Sequence, residues 1–345
     1  TPMPNNLRFP AEWEPQSAVL LAWPHDGTDW AARLEGVEQT YVSLVAAITR
    51  FQPALVCVAD AELRARASAL LEVAGVDLSR VRFFQVPYDD TWLRDSGPIT
   101  LREGDGFRLL DFHFTAWGGK FEAGLDDQLV AKLHASGLLA KAAHQRIDFA
   151  LEGGGIETDG AGTLLSTWTC LHERHPDKSR EEITAALEQS LVQSRTLWLD
   201  HGYLEGDDTD AHIDTLARFA APDAIVFQAC DDPDDSHHAE LQAMAAEIAA
   251  LRQANGQPYR LFPLPWARPI LDDGRRLAAS YANFLIINGA VLMPAYGDSA
   301  DATAAAVLAQ AFPGREIVRI DCRPLIWQNG SLHCVTMQLP EGLLA

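Results

Sequence analysis

Two rhythms of apolar residues alternate along the chain. Short aliphatic and β-branched runs bounded by Gly, Pro, Asp or Asn predict strands at 18–23, 54–58, 81–86, 107–114, 162–167, 224–228, 283–292, 316–320 and 332–338. Between them lie stretches with helical spacing. The clearest covers 30–49, where Leu34, Val37, Tyr41, Leu44, Val45 and Ile48 share one face. Similar patterns rich in Ala, Leu, Glu and Gln cover 61–73, 123–137, 180–193, 237–254 and 301–311. Alternation of the two predicts an α/β fold. Strand groups recur at intervals of roughly 60–70 residues, which hints at a repeated strand–strand–helix–strand unit. The letters themselves do not repeat, and periodicity alone does not separate a propeller-like array from an open sheet. No linker divides the chain, so residues 1–345 are expected to form a single catalytic domain. The polar stretch Cys230–His238 suits the lead-in to a helix better than a hinge.

Composition narrows the class. With 48% hydrophobic and 22% charged residues the chain is globular. Its 48 acidic against 27 basic residues give a net charge of −21. Nucleic acid and anionic membrane surfaces would repel such a chain, whereas a small cation suits it. No apolar run approaches the ~20 residues that span a bilayer. Thr1–Asn6 shows no basic-then-apolar leader, and a cytoplasmic location is expected. The cysteines, Cys57, Cys170, Cys230, Cys322 and Cys334, are odd in number and contain no Cys-x-x-Cys. That is neither a disulfide framework nor a zinc site, and it fits a reducing compartment.

Five segments could carry chemistry. In Gly202–Phe219, Asp207, Asp208, Asp210 and Asp214 surround His212. On an extended strand His212 and Asp214 would face the same side. In Asn329–Gln338, Cys334 opens a predicted strand after a Gly-containing turn. Its neighbour His333 would then point to the opposite face, leaving His212 as the better base. Asp89–Pro98 combines Trp92, Arg94 and Asp95 with turn residues. Leu151–Glu157 carries Glu152 and three glycines, which permit close backbone approach; no Lys-Ser/Thr follows, so it is not a phosphate loop. Phe114–Lys120 sets Trp117 beside flexible backbone. Taken singly, each has a plainer reading: an acidic loop, a core thiol, a capped turn. Together, a thiol, an imidazole and several carboxylates suit attack on a guanidinium. Carboxylates hold that planar cation flat, each pair being on the order of 4 kcal/mol at ~4 Å before desolvation. Histidine moves the protons and cysteine splits the substitution into two steps.

At these segments the sequence resembles the agmatine deiminase family of guanidine-modifying enzymes, which includes the bacterial peptidylarginine deiminases. The resemblance rests on Asp90-Thr91-Trp92-x-Arg94-Asp95-x-Gly97-Pro98, Leu151-Glu152-Gly153-Gly154, Gly206-Asp207-Asp208-Thr209-x-x-His212-x-Asp214 and Gly330-x-x-His333-Cys334-x-Thr336. It extends from Pro10-Ala11-Glu12-Trp13-Glu14 and Ala22-Trp23-Pro24-His25 to the Cys334 segment. It implies a five-bladed α/β propeller of ββαβ units about a pseudo-fivefold axis, with the active site in the central channel. It implies hydrolysis of agmatine to N-carbamoylputrescine and ammonia through a cysteine-bound intermediate, in putrescine synthesis, with no cofactor and no metal. Carried over, Cys334 is the nucleophile, His212 the general acid/base and Glu152 its orienting partner. Asp95 and Asp214 grip the guanidinium. Asp208 lies near the substrate's far end, and Trp92 and Trp117 pack along the pocket. A homodimer is the family expectation.

The chain departs from the family at two places. Asn329-Gly330-Ser331-Leu332-His333-Cys334 stands where many members have Gly-Gly-Asn-Ile-His-Cys, and Asp210-Ala211 where many have Asn-Gly. Both bear on the amine end of the pocket. The alternative substrates are peptidyl-arginine, arginine or another guanidine, although the core motifs offer only Arg94 to bind an α-carboxylate. Two other classes are a metal-dependent hydrolase using Asp208, Asp210, His212 and Asp214, and a polyamine-binding protein without turnover.

Overall fold

The computed structural model describes residues 6–345; Thr1–Asn5, part of the stretch read for a leader, lie outside them. Five sheets of three or four strands follow one plan, an antiparallel pair whose second strand takes a parallel neighbour. In the first, Ile99–Glu103 pairs antiparallel with Gly106–His113, which pairs parallel with Ala142–Ala150. The second joins Ile156–Thr158, Thr163–Thr167 and Arg195–Leu199. The third joins Ala217–Ala221, Ala224–Gln228 and Arg260–Leu264. The fourth joins Leu285–Ile287, Ala290–Ala295 and Glu316–Asp321. In the fifth, Met337–Pro340 from the end of the chain pairs antiparallel with Gln16–Ala22, followed in parallel by Ala54–Val58 and Val81–Gln85. Parallel neighbours need a crossover. Helices supply it: Leu129–Ala135, Arg180–Leu191, His238–Ala250, Ala300–Ala311 and Leu34–Thr49.

Strands covered on both faces read as unbroken apolar runs. Ala54–Val58 and Ala224–Gln228 are buried throughout, and both were delimited correctly from sequence. The single strand expected over 283–292 is instead a hairpin, because Gly289 (φ 73°) reverses the chain between its two arms. The helix expected over 123–137 is confined to Leu129–Ala135 after a tight turn at Asp126–Gln128. Among the described residues no helix is long and apolar enough to cross a membrane.

Candidate active site

The site is assembled from one position repeated in each of these five sheets, the short turn that leads into its first strand. Asp95 lies on the turn Leu93–Ser96 before Ile99. Glu152 immediately precedes the turn Gly153–Gly155, which runs into Ile156. His212 caps the turn Ile213–Thr215, and Asp214 lies within it, before Ala217. Asn283 precedes Leu285, and Cys334 lies on His333–Val335 before Met337. Two expectations are corrected here. His212 and Asp214 are not on an extended strand, and Cys334 does not open one; both segments are 3-10 turns. The His212 and Asp214 side chains nonetheless reach one point: a Cβ on Gly154 would lie 2.6 Å from His212 Nδ1 and 3.1 Å from Asp214 Oδ2. The thiol and imidazole come from different sheets.

His212 Nε2 bonds Glu152 Oε1 at 2.8 Å, and Arg174 clasps the same carboxylate from Nη2 at 2.7 Å. Burial would raise the Glu152 carboxyl, but the His212 hydrogen bond and the charges of His212 and Arg174 hold it down at about 2. The other ring nitrogen, Nδ1, has no partner and lies 3.8 Å from Asp95 Oδ1. Burial would lower His212. The Asp95 charge, followed by Cys170 and Glu152, outweighs it, and the imidazole sits well above its ordinary range. Asp95 is tied by Trp117 Nε1, which donates to Oδ2 at 2.9 Å, and by Gly154 N, which donates to Oδ1 at 3.0 Å. Trp117 reaches this position from left-handed backbone (φ 60°) between Ala116 and Gly118. Burial raises the Asp95 carboxyl to about 6; His212 opposes this, and Asp214 and Glu152 add to it.

Asp214 is fully buried. Its Oδ2 bonds His333 Nδ1 at 2.8 Å while Oδ1 has no partner. Burial would raise it, but the His333 hydrogen bond and the charges of His333, His212 and Arg218 bring it below the usual range. Cys334 Sγ lies 3.5 Å from Asn283 Oδ1. Burial, with Asp214 and Asp95 adding to it, pushes its thiol far above the ordinary range. The free site therefore combines a neutral thiol, an imidazolium and an ionised carboxylate with an unused oxygen. Cys334 and Asp95 face a cleft of about 480 Å³, bordered also by Asp29, Trp92, Trp117 and Asp208. Among the described residues that line it none is basic. The Trp92 and Trp117 rings meet edge to face at 6.2 Å along its wall.

All eight residues singled out from sequence lie in this neighbourhood. Reasoning from sequence missed Arg174, Asn283, Glu12 and Arg218. The first two have no motif to mark them, and Glu12 belongs to the Pro10–Glu14 segment noted only for resemblance. Asp208, Asp210, His212 and Asp214 do not converge on a common point: Asp210 turns to Lys120 and Arg174, Asp214 to His333. Two other groups are close enough to share a cation, Glu152–Cys170–His212 and Glu12–Glu157–His333. Each is already served by a guanidinium, from Arg174 and Arg218 respectively.

Turns from five sheets that focus a thiol, an imidazole and acids on an acidic cleft define a thiol site for a small cation. A profile of the Porphyromonas-type peptidyl-arginine deiminases matches residues 8–340, and the chain belongs to that family. An agmatine deiminase of Pseudomonas aeruginosa is 34% identical over 99% of this chain and 97% of its own. Among solved structures, a Porphyromonas gingivalis chain assigned provisionally as an arginine deiminase is 47% identical, with a TM-score of 0.91 over 98% of this chain and 100% of that one. A Cys-to-Ser variant of the C. jejuni agmatine deiminase, with substrate bound, is 34% identical, with a TM-score of 0.89 over 98% and 97%.

Proposed function

We propose that the chain hydrolyses agmatine to N-carbamoylputrescine and ammonia. The observation that carries this reading is a buried thiol beside two carboxylates at the end of a cleft with no basic lining. The curated relatives of similar length, themselves agmatine deiminases, support it. Asp214 Oδ1 and Asp95 accept the guanidinium N–H groups. The bound cation offsets the carboxylates that keep the thiol neutral, and the thiol proton leaves to solvent. The Cys334 thiolate attacks the guanidinium carbon, forming a C–S bond. His212, already protonated, gives its Nδ1 proton to the departing nitrogen; the C–N bond breaks and ammonia leaves. Water then yields one proton to His212 and adds to the carbon; the new hydroxyl passes its proton to the departing sulfur as the C–S bond breaks, releasing the urea product and the Cys334 thiol. Glu152, fixed by Arg174, keeps the ring oriented throughout. Asp208 receives the substrate's ammonium, while Trp92 and Trp117 flank its methylenes. The product, a carbamoylated diamine, places the reaction in putrescine synthesis.

The same reading takes the five sheets as blades of a propeller about a pseudo-fivefold axis, with the site in its channel. Their shared plan, the five converging turns and the pairing of Met337–Pro340 with Gln16–Ala22 support it.

A second substrate, peptidyl-arginine or arginine, is favoured by the family description and by the P. gingivalis relative. Ammonia release from agmatine, arginine, a peptidyl-arginine and N-methylguanidine decides. Turnover concentrated on agmatine is expected. Preference for an arginine substrate overturns the assignment.

A further inference from the structure

We propose that His333, gripped by Glu12 from the opening loop, is a positioning residue that holds the Asp214 carboxylate ionised and aimed at the guanidinium. This rests on Asp214 being a guanidinium-binding group, as above.

A carboxylate faces each ring nitrogen of His333: Asp214 Oδ2 at 2.8 Å from Nδ1 and Glu12 Oε1 at 2.7 Å from Nε2. The imidazole is 1% exposed, Asp214 0% and Glu12 7%, so bulk water does little to screen these contacts. Glu12 is anchored in turn. Its Oε2 accepts from Arg218 Nη2 at 2.9 Å and from the Ile286 amide at 2.8 Å. Arg218 donates from Nε to Glu157 at 2.5 Å and from Nη1 to the carbonyls of Ala282 and Phe284. Those carbonyls flank Asn283, whose Oδ1 accepts from the His333 amide at 2.9 Å and whose Nδ2 donates to the Asp214 carbonyl at 3.1 Å. His333 is thus fixed at side chain and backbone, and its remaining side-chain partner is the Asp214 carboxylate.

The contrast between the two acids shows what this does. Asp95 and Asp214 are both buried and both act on the thiol. Asp95 has two hydrogen-bond donors and an imidazole 3.8 Å away, yet burial still carries it up to about 6. Asp214 lies below the usual carboxylate range, and after burial the largest influence on it is the His333 hydrogen bond. The charged and titratable groups facing Asp214 are His333, His212, Arg218, Arg94, Asp95 and Cys334. Those facing His333 are Asp214, Glu12, Arg218 and Glu157. Of the groups that oppose burial at Asp214, only His333 touches one of its carboxylate oxygens, and the other, Oδ1, has no partner.

The test is the pH profile of kcat/KM for agmatine in His333→Gln and Glu12→Gln, with folding checked by thermal denaturation. Without the imidazole, Asp214 protonates at higher pH. In His333→Gln, kcat/KM at pH 7 should fall roughly 10- to 100-fold, the effect of a lost hydrogen bond to a charged group. In the parent the limb near pH 6 is that of Asp95; in His333→Gln the Asp214 ionisation should rise into that range, so the acidic limb should steepen and move up, and the deficit should shrink above it. Glu12→Gln, close to isosteric, should move the limb the same way by less. A purely structural role would instead lower activity equally at every pH, and an unmoved limb in the folded variants overturns the proposal. Asp214→Asn separates the premises. If it keeps agmatine turnover, the guanidinium assignment of Asp214 is wrong; if it loses turnover while the limb stays put in the other two, only the role of His333 is wrong.

Discussion

The three consecutive glycines after Glu152 should respond to alanine in three different ways. None has a positive φ, so the effects are steric rather than conformational. A Cβ on Gly154 would sit 2.6 Å from His212 Nδ1, 2.7 Å from Asp95 Oδ1 and 3.1 Å from Asp214 Oδ2. The first two must retreat by roughly 0.7 Å to reach ordinary contact distance. Neither can do so freely. His212 is held at 2.8 Å by Glu152, itself locked by Arg174, and Asp95 is tied to Trp117 and to the Gly154 amide. Misplacement on the order of 1 Å costs ~100-fold in rate, and overpacking costs about 1–3 kcal/mol of stability. Gly154→Ala should therefore stay folded, with a modestly lower Tm, and lose roughly 100-fold in kcat/KM. In Gly155→Ala the nearest atom would be Cys170 Sγ at 3.8 Å, and activity should stay close to the parent's. In Gly153→Ala the Cβ would lie 2.2 Å from the Arg94 carbonyl oxygen, which is backbone, so loss of fold is expected. Ammonia release from agmatine and thermal denaturation of the three variants make the test. Full-rate Gly154→Ala, or a Gly155→Ala as damaged as Gly154→Ala, would refute the reasoning.

Three further outcomes follow from the site's electrostatics. Cys334→Ala should abolish ammonia release without unfolding, and iodoacetamide should alkylate the free thiol slowly at pH 7 and faster through pH 9, with agmatine protecting; fast alkylation at pH 7 would mean that the thiolate is already formed. Asp95 is raised to about 6 in the free site and must be ionised to bind the cation, so kcat/KM should fall below about pH 6. The limb in kcat should lie lower, because bound substrate favours the carboxylate; coincident limbs would assign the titration elsewhere. Asp208→Asn should cost about tenfold in kcat/KM for agmatine and leave N-methylguanidine turnover unchanged; equal loss on both would place Asp208 at the reacting end.

Much of this arrangement was legible because the chemistry-bearing residues lie in short, dense motifs. Ala54–Val58 and Ala61–Val73 were delimited to the residue, since one is wholly apolar and the other is capped by Asp60, whose side chain accepts from Leu63 N. Strands such as Ala142–Ala150 were not legible. Most of that strand is exposed, so neither alternation nor an apolar run marks it. The error at His212–Asp214 has the same origin, since a three-residue turn is too short to carry a period. Arg174 and Arg218 escaped notice for a different reason. Each lies in an ordinary helix or strand pattern and acquires its role only when a carboxylate distant in sequence arrives: Glu152 for one, Glu12 and Glu157 for the other.

On the proposed mechanism, the site's negative charge also determines when it works and when it lets go. With no cation present, burial and the charges of Asp214 and Asp95 keep Cys334 a neutral thiol, so the nucleophile is silent toward other electrophiles. A guanidinium at ~4 Å and an effective dielectric of ~20 contributes on the order of 4 kcal/mol to the thiolate. That corresponds to about three powers of ten in thiolate population. The nucleophile is thus generated by the charge of the group it attacks. Hydrolysis removes that charge, because the product carries an uncharged urea where the substrate carried a cation. Asp214 Oδ1 then loses the attraction that held the reacting end, and the thiol is reprotonated. Only the distal ammonium still holds the product, at the rim where Asp208 is exposed and an ion pair is worth least. Loss of charge at the buried end and a weak hold at the rim both favour release, so the acids that recruit the substrate do not trap what it becomes.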